Sequence, residues 1–252
     1  MDAILSVERL SVVFDGFQAL DGVDLQVRRG GVHALIGPNG AGKTTLLDAI
    51  GGRVRQAAGR VWLDGRLDLA HLAEHRRARL GIARKFQTPS VFPHLTVREN
   101  LELAAAPPGL WATIVRPLSA TARTRIDEVC TLIRLEGAGG QMAGTLAHGQ
   151  KQWLEIGMLL VRQPKVLLLD EPVAGMTGAE RGDTAARLAE VARQATVLLV
   201  EHDMDFVRQV AGRVTVLHGG RVLCEGSMAQ VAADPRVIAS YLGREGERHA
   251  AG

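Results

Sequence analysis

At 252 residues, 46% of them hydrophobic, the chain can bury a sizeable core, either as one large domain or as two lobes that share it. A formal net charge of only +3, with no long basic run, gives no support for nucleic-acid binding. Two cysteines, Cys130 and Cys224, are too few for a disulfide framework and read as buried thiols of a reducing compartment.

The first apolar run is broken by Asp2, Glu8 and Arg9, so no signal peptide is expected, and no later run nears the ~18 residues of a membrane span. A soluble, cytosolic chain is predicted; if it works at a membrane, something else holds it there. "ILSVERLSVVF" and "VDLQVRRG" read as strands. "VHALIG" reads as a buried central strand, and "KTTLLDAIGG" as a helix stopped by Gly51 and Gly52. "GRVWLDG" is a further strand, and "LAHLAEHRRARL" a helix with a basic, solvated face. Thr96 and Glu99 form a capping box that opens the helix "TVRENLELAAA", which Pro107 and Pro108 end. In "RIDEVCTLIRLEG", Ile126, Val129, Cys130 and Ile133 share one helical face, and Gly137 is the expected stop. Strand and helix then alternate: "KVLLLD", "TGAERGDTAARLAEVAR", "ATVLLVEH", "MDFVRQVA" and a hairpin turning on Gly219 and Gly220. A mostly helical stretch, 88–162, is thus inserted in an alternating β/α chain.

"GPNGAGKTT", Gly37 through Pro38, Asn39, Gly40, Ala41, Gly42, Lys43 and Thr44 to Thr45, has the spacing of a phosphate-binding loop between a strand and a helix. Its glycines let successive N–H groups point inward, where they and the helix end hold phosphate oxygens. Lys43 can reach the β- and γ-phosphates, Thr44 can ligate Mg²⁺, and Thr45 can bond the α-phosphate. Only four lysines occur in the chain, so one inside this loop is conspicuous. Asp170 leaves the buried strand "KVLLLD" at the end where open α/β sheets bind ligands, and a carboxylate there can hold Mg²⁺. Glu171 follows on the alternate side, placed to face a water attacking the γ-phosphate, as base or positioner. His202, at the end of "ATVLLVEH", can bond a γ-phosphate, and Gln87 can offer Mg²⁺ a carbonyl and link the site to the helical insert.

Together "GPNGAGKTT", Gln87, "LAHGQ", "LLLDEP" and His202 resemble, in order and spacing, the ATP-binding-cassette (ABC) ATPases over essentially the whole chain. The resemblance implies an α/β P-loop NTPase fold with a RecA-like core, an N-terminal antiparallel β subdomain and an inserted α-helical subdomain. Expected segments are 1–87, 88–162 and 163–252. It implies ATP and Mg²⁺ as cofactors, and Phe14 as the aromatic that stacks on adenine. It makes Leu146, Ala147, His148, Gly149 and Gln150 the signature motif, offered to an ATP held by a second subunit. Two departures stand out. Ala147 replaces the usual serine, a loss of about 1–2 kcal/mol or less, and Thr177 stands where an aspartate is common. His148 adds a proton-sensitive donor.

A single cassette without coiled coils is similar to the separate ATPase subunit of bacterial importers. "FQTPSVFPHLTVRENLELA" resembles those of branched-chain amino acid importers, and "LAHGQKQWLEIGMLLVRQPKVLLLDEPVAGMT" with "VIASYLG" is closer still to those of urea importers. The resemblance implies membrane permease subunits docked near Val91, Phe92, Pro93 and Leu95, and a second ATPase subunit, copy or paralogue. It also implies, indirectly, an extracytoplasmic solute-binding protein. The expected location is the cytoplasmic face of the plasma membrane. An ATP-binding regulatory or assembly protein without turnover is the alternative of another class; Lys43, Asp170, Glu171 and His202 argue against it.

Overall fold

The computed structural model describes residues 3–85, 90–106 and 118–240. Strands β1 (Ala3–Phe14), β2 (Phe17–Arg28), β4 (Ala58–Leu63) and β5 (Leu67–Asp68) form an antiparallel sheet in the order β2-β1-β4-β5. Strands β3 (Val32–Ile36), β6 (Ile82–Lys85), β7 (Val166–Asp170), β8 (Thr196–Val200), β9 (Arg213–His218) and β10 (Arg221–Gly226) form a second sheet, ordered β10-β9-β3-β8-β7-β6. It is parallel from β9 to β6, with β10 antiparallel at one edge. The central strands β3, β7 and β8 are buried throughout, which is why each reads as an unbroken run with little alternation.

Side chains alternate across this sheet and feed two cores. Leu168 joins Leu46, Leu47 and Ile50 of helix α1 (Lys43–Gly51) and the apolar face of the antiparallel sheet. Leu167 and Leu169 join the helical part: Leu101 of α3 (Val97–Ala105), Val129 of α4 (Ala120–Leu132) and Leu154 of α5 (His148–Leu160). Helix α6 (Gly178–Val191) packs its Leu188 into the same core. The N-terminal β part and the inserted helices are therefore layered on opposite faces of one parallel sheet.

Three elements differ from the sequence expectation. The helix expected over 69–80 is only α2 (Glu74–Arg79). Leu69 still pairs with β4, its N–H reaching Val61 O at 2.8 Å, and Ala70 N is held by the Asp68 side chain. Its arginines are not all solvated: Arg77 is 2% exposed. Its Nη1 donates to Ala49 O (2.6 Å) and Ile50 O (2.9 Å), and its Nε to Leu72 O (2.8 Å). A buried guanidinium thus caps the carbonyl end of α1, where a cation also meets the negative pole of the helix. Arg77→Ala, which strands those carbonyls, is expected to cost about 3 kcal/mol, read as a lower urea midpoint.

Helix α4 stops before Gly137. Arg134 takes the left-handed conformation (φ 55°), Leu135 N bonds Cys130 O (2.9 Å) and Arg134 N bonds Thr131 O (3.0 Å). This is a Schellman cap, completed by the buried Leu135 and Cys130, with arginine where glycine is usual. Strand β8 ends at Val200, two residues short of His202, for a reason that lies in the site.

On β3, His33 is 4% exposed and its Nε2 lies 2.8 Å from Thr215 Oγ1, which itself donates to Glu225 Oε2. Burial, ahead of the neighbouring charges, lowers its pKa from 6.5 to about 4. The unfolded chain then takes up a proton below pH 6.5 that the folded one refuses until about pH 4. Stability is complete above pH 6.5 and falls through that window by up to about 3 kcal/mol. Urea titrations from pH 4 to 7 should show this acid loss, and it should shrink in His33→Gln.

Candidate nucleotide site

Strand β3 runs into the glycine loop, and α1 begins at Lys43. Two glycines are obligatory there. A Cβ on Gly37 (φ 148°) would sit 2.1 Å from Leu217 O, and one on Gly42 (φ 99°) 2.8 Å from Ala19 O. Lys43 is buried and folds back over the loop, donating from Nζ to Gly37 O (2.8 Å) and Pro38 O (3.0 Å). The β9-β10 turn buttresses the loop through Gly220 N and Ala41 O, 3.1 Å apart.

Above the loop lies a cleft of about 430 Å³. Asn39, Gly40, Gly42, Lys43, Thr44, Thr45 and Glu171 line it, and Phe14 closes one side together with Phe17 and Ala19. Phe17 is absent from the sequence expectations. It pairs with Phe14 across the turn Asp15-Gly16, whose φ values are both positive, so the two rings share one face of the hairpin. Phe17 is 69% exposed and Phe14 45%. A turn-forming Asp-Gly flanked by two phenylalanines was the available signal.

Asp170 is 1% exposed at the end of β7. Thr44 hydrogen-bonds its carboxylate and the Arg84 guanidinium lies 3.6 Å from Oδ2, while Oδ1 has no partner among the described residues. Burial holds its pKa above the usual carboxylate range, against the pull of Arg84 and Thr44. A buried carboxylate oxygen without a partner, beside a threonine hydroxyl, fits a hard dication such as Mg²⁺, which takes oxygen donors. Glu171 stands just outside, with left-handed backbone (φ 47°) and its N–H on Val200 O (2.9 Å). That conformation, rather than strand alternation, turns its side chain into the cleft. His202 Nδ1 is 3.5 Å from Glu171 Oε1.

The early end of β8 is explained by Glu201, which sequence reading missed. Its fully buried carboxylate accepts from Val173 N (3.1 Å, Oε1) and His202 N (3.1 Å, Oε2), tying the segment after Glu171 to the one bearing His202. Burial raises its pKa, and these N–H donors oppose the shift. An acid inside an apolar strand ending was the signal. Gln87 lies outside the described residues.

None of Leu146, Ala147, His148, Gly149 and Gln150 lines the cleft. They open α5, with Leu146 buried and His148 and Gln150 exposed. Ala147 is the N-cap. Its N–H bonds Gln150 Oε1 (3.0 Å), but its methyl group cannot accept in return, so only half of a capping box forms. Ala147→Ser should complete the box and stabilise the chain by about 0.5–2 kcal/mol, read as a shift in urea midpoint. ATPase assays of the same variant test the hydroxyl as a phosphate donor, with a rate increase of about tenfold or less expected. Thr177 caps α6 in a full box with Glu180: Thr177 N donates to Glu180 Oε2 (2.8 Å) and Glu180 N to Thr177 Oγ1 (3.4 Å). The position where aspartate is common thus serves the helix.

A glycine loop wrapped on lysine at one strand end, with a buried acid at the end of a strand one place removed in the same parallel sheet, defines a P-loop nucleoside triphosphatase; the antiparallel sheet and inserted helices make it the cassette type. The sequence model of the ABC transporter family matches residues 20–174, and that of the branched-chain amino acid ATP-binding cassette transporters matches 221–247. The high-affinity branched-chain amino acid transport ATP-binding protein BraF of Pseudomonas aeruginosa is 36% identical over 95% of this chain and 98% of its own. LivG of Salmonella typhimurium, a protein of the same description, is 35% identical over the same shares. Among solved structures, a nucleotide-free cassette from an ABC transporter superposes with a TM-score of 0.84 at 31% identity, covering 96% of this chain and 99% of its own. An ADP-bound cassette also gives 0.84 at 31% identity, over 96% and 100%. The chain belongs to the ABC transporter family and is an ATP-hydrolysing, ATP-binding subunit of the branched-chain amino acid importer branch.

Proposed function

We propose that the chain powers solute import through a separate permease by closing on ATP together with a second cassette. Among the described residues no helix is long and apolar enough to cross a membrane. The observation that carries the catalytic reading is the Glu171–His202 pair at 3.5 Å on the lip of the cleft. In this reading Lys43 and the loop N–H groups bind the triphosphate, and Phe14 and Phe17 support the base. Glu171 takes the proton of the attacking water, and His202 steadies Glu171 and the γ-phosphate. Thr44, Asp170 and Gln87 would hold Mg²⁺, which when bound offsets charge on the phosphate oxygens. The signature residues, which do not line the chain's own cleft, serve the partner's ATP from the N-terminus of α5.

The family relatives support branched-chain amino acids as the cargo. A second reading, urea, rests on the resemblance of 146–177 and of "VIASYLG" and keeps the same mechanism. The permease would meet the loop that Asn100 organises: its buried amide holds Phe92 N (2.8 Å) and Phe92 O (3.1 Å) and presents the half-exposed Phe92 ring. Uptake by the reconstituted complex decides between the cargoes: labelled leucine alone supports the first, labelled urea alone the second, and neither sinks both.

A further inference from the structure

Edge strand β6 carries two cations on successive residues, the half-buried Arg84 and the fully buried Lys85, and they face opposite sides of the sheet. Arg84 turns toward the nucleotide machinery. Its Nη1 donates to Asp48 Oδ1 of α1 (2.7 Å), and its Nη2 lies 3.6 Å from Asp170 Oδ2. Lys85, with no exposed surface, turns toward the helical part, where Nζ lies 3.6 Å from Glu155 Oε2 of α5. Glu155 is 6% exposed, two turns from the signature tip. Desolvating such a pair is costly, and two well-packed apolar residues commonly serve stability as well or better. The pair is therefore better explained by the orientation it fixes than by the stability it adds.

We propose that Lys85 is a positioning residue for ATP hydrolysis: through Glu155 it fixes the signature helix to β6, so that the tip offered to a partner's ATP is set by the strand whose Arg84 holds Asp170 and the phosphate-loop helix. The inference rests on the two-subunit reading above. It links the chain's own nucleotide site to its signature tip through β6. An apolar contact at this point would hold α5 against β6 without fixing its rotation, because dispersion is not directional.

The test is the double variant Lys85→Met/Glu155→Met, which leaves no buried charge stranded. It should fold with an unfolding midpoint at or above that of the wild type and bind ATP as a single protomer with a Kd within about twofold, yet hydrolyse ATP about tenfold more slowly, a typical size for inter-site coupling. In a Glu171→Gln background the double variant should weaken ATP-driven pairing to a similar degree. Wild-type turnover and pairing in the Met pair would overturn the proposal. If the Met pair does not fold, Glu155→Asp decides, since it keeps both charges and shortens the reach: kcat should fall with KM unchanged, and wild-type kcat overturns the proposal. Failure of Glu171→Gln alone to pair on ATP would instead sink the two-subunit reading.

Discussion

Replacing Glu171 with glutamine is expected to slow ATP hydrolysis by about 10²–10⁴-fold, the usual range for loss of a general base, while ATP binding persists. The side chain lines the cleft beside the phosphate loop, and its carboxylate lies 3.5 Å from the His202 ring. Glutamine fills the same volume and keeps an oxygen, but it cannot take the proton. On the proposed reading ATP binding rests on Lys43 and the loop amides, which the change leaves intact. The variant should therefore hold ATP and accumulate as a nucleotide-bound pair, visible as a doubled mass on adding ATP and Mg²⁺. Equal turnover of variant and wild type would remove Glu171 from its assigned role.

Asp170→Asn is expected to separate activity from stability. Asp170 is buried with Oδ1 lacking a partner among the described residues, and burial holds its pKa up. An acid whose folded pKa is raised costs stability once the unfolded chain ionises, so near neutral pH the charge at this position is a burden to the fold. Asparagine removes that burden and leaves Arg84 its pairing with Asp48. The unfolding midpoint at pH 7 should be equal to or above that of the wild type. Hydrolysis should fall by about 10²-fold or more as the metal donor is lost, and Mg²⁺ should no longer strengthen ATP binding. A variant that loses stability while keeping Mg²⁺-dependent turnover would contradict both halves.

The nucleotide cradle was the most legible part of the sequence because its chemistry is local. Gly37 to Thr45 must be glycine-rich for backbone reasons, and β3 and β7 announce themselves as short apolar runs. Buried and half-buried cations were the least legible. Arg77, Arg84 and Lys85 look like surface residues in sequence, since nothing local says that a helix end or an acid from a distant segment will meet them. Arg134 hid a helix stop for a related reason: a Schellman cap depends on the contact between Leu135 and Cys130, and arginine accepted the left-handed conformation usually left to glycine. Glu201 and Phe17 are intermediate. Each breaks its local pattern, an acid ending an apolar strand and a second aromatic at a hairpin tip, and each proves to serve the site.

The central claim is that each ATP is hydrolysed between the cradle of one subunit and the α5 tip of another. The most direct measurement mixes two crippled chains: Lys43→Ala, which lacks a cradle but keeps its tip, and Gly149→Asp, which keeps its cradle but sets a charge against the partner's phosphate. Each alone should be nearly inactive, and mixing should restore ATPase activity, because one composite site per mixed pair is whole. Wild-type hydrolysis by Gly149→Asp alone, at concentrations where it is a monomer, would contradict the account.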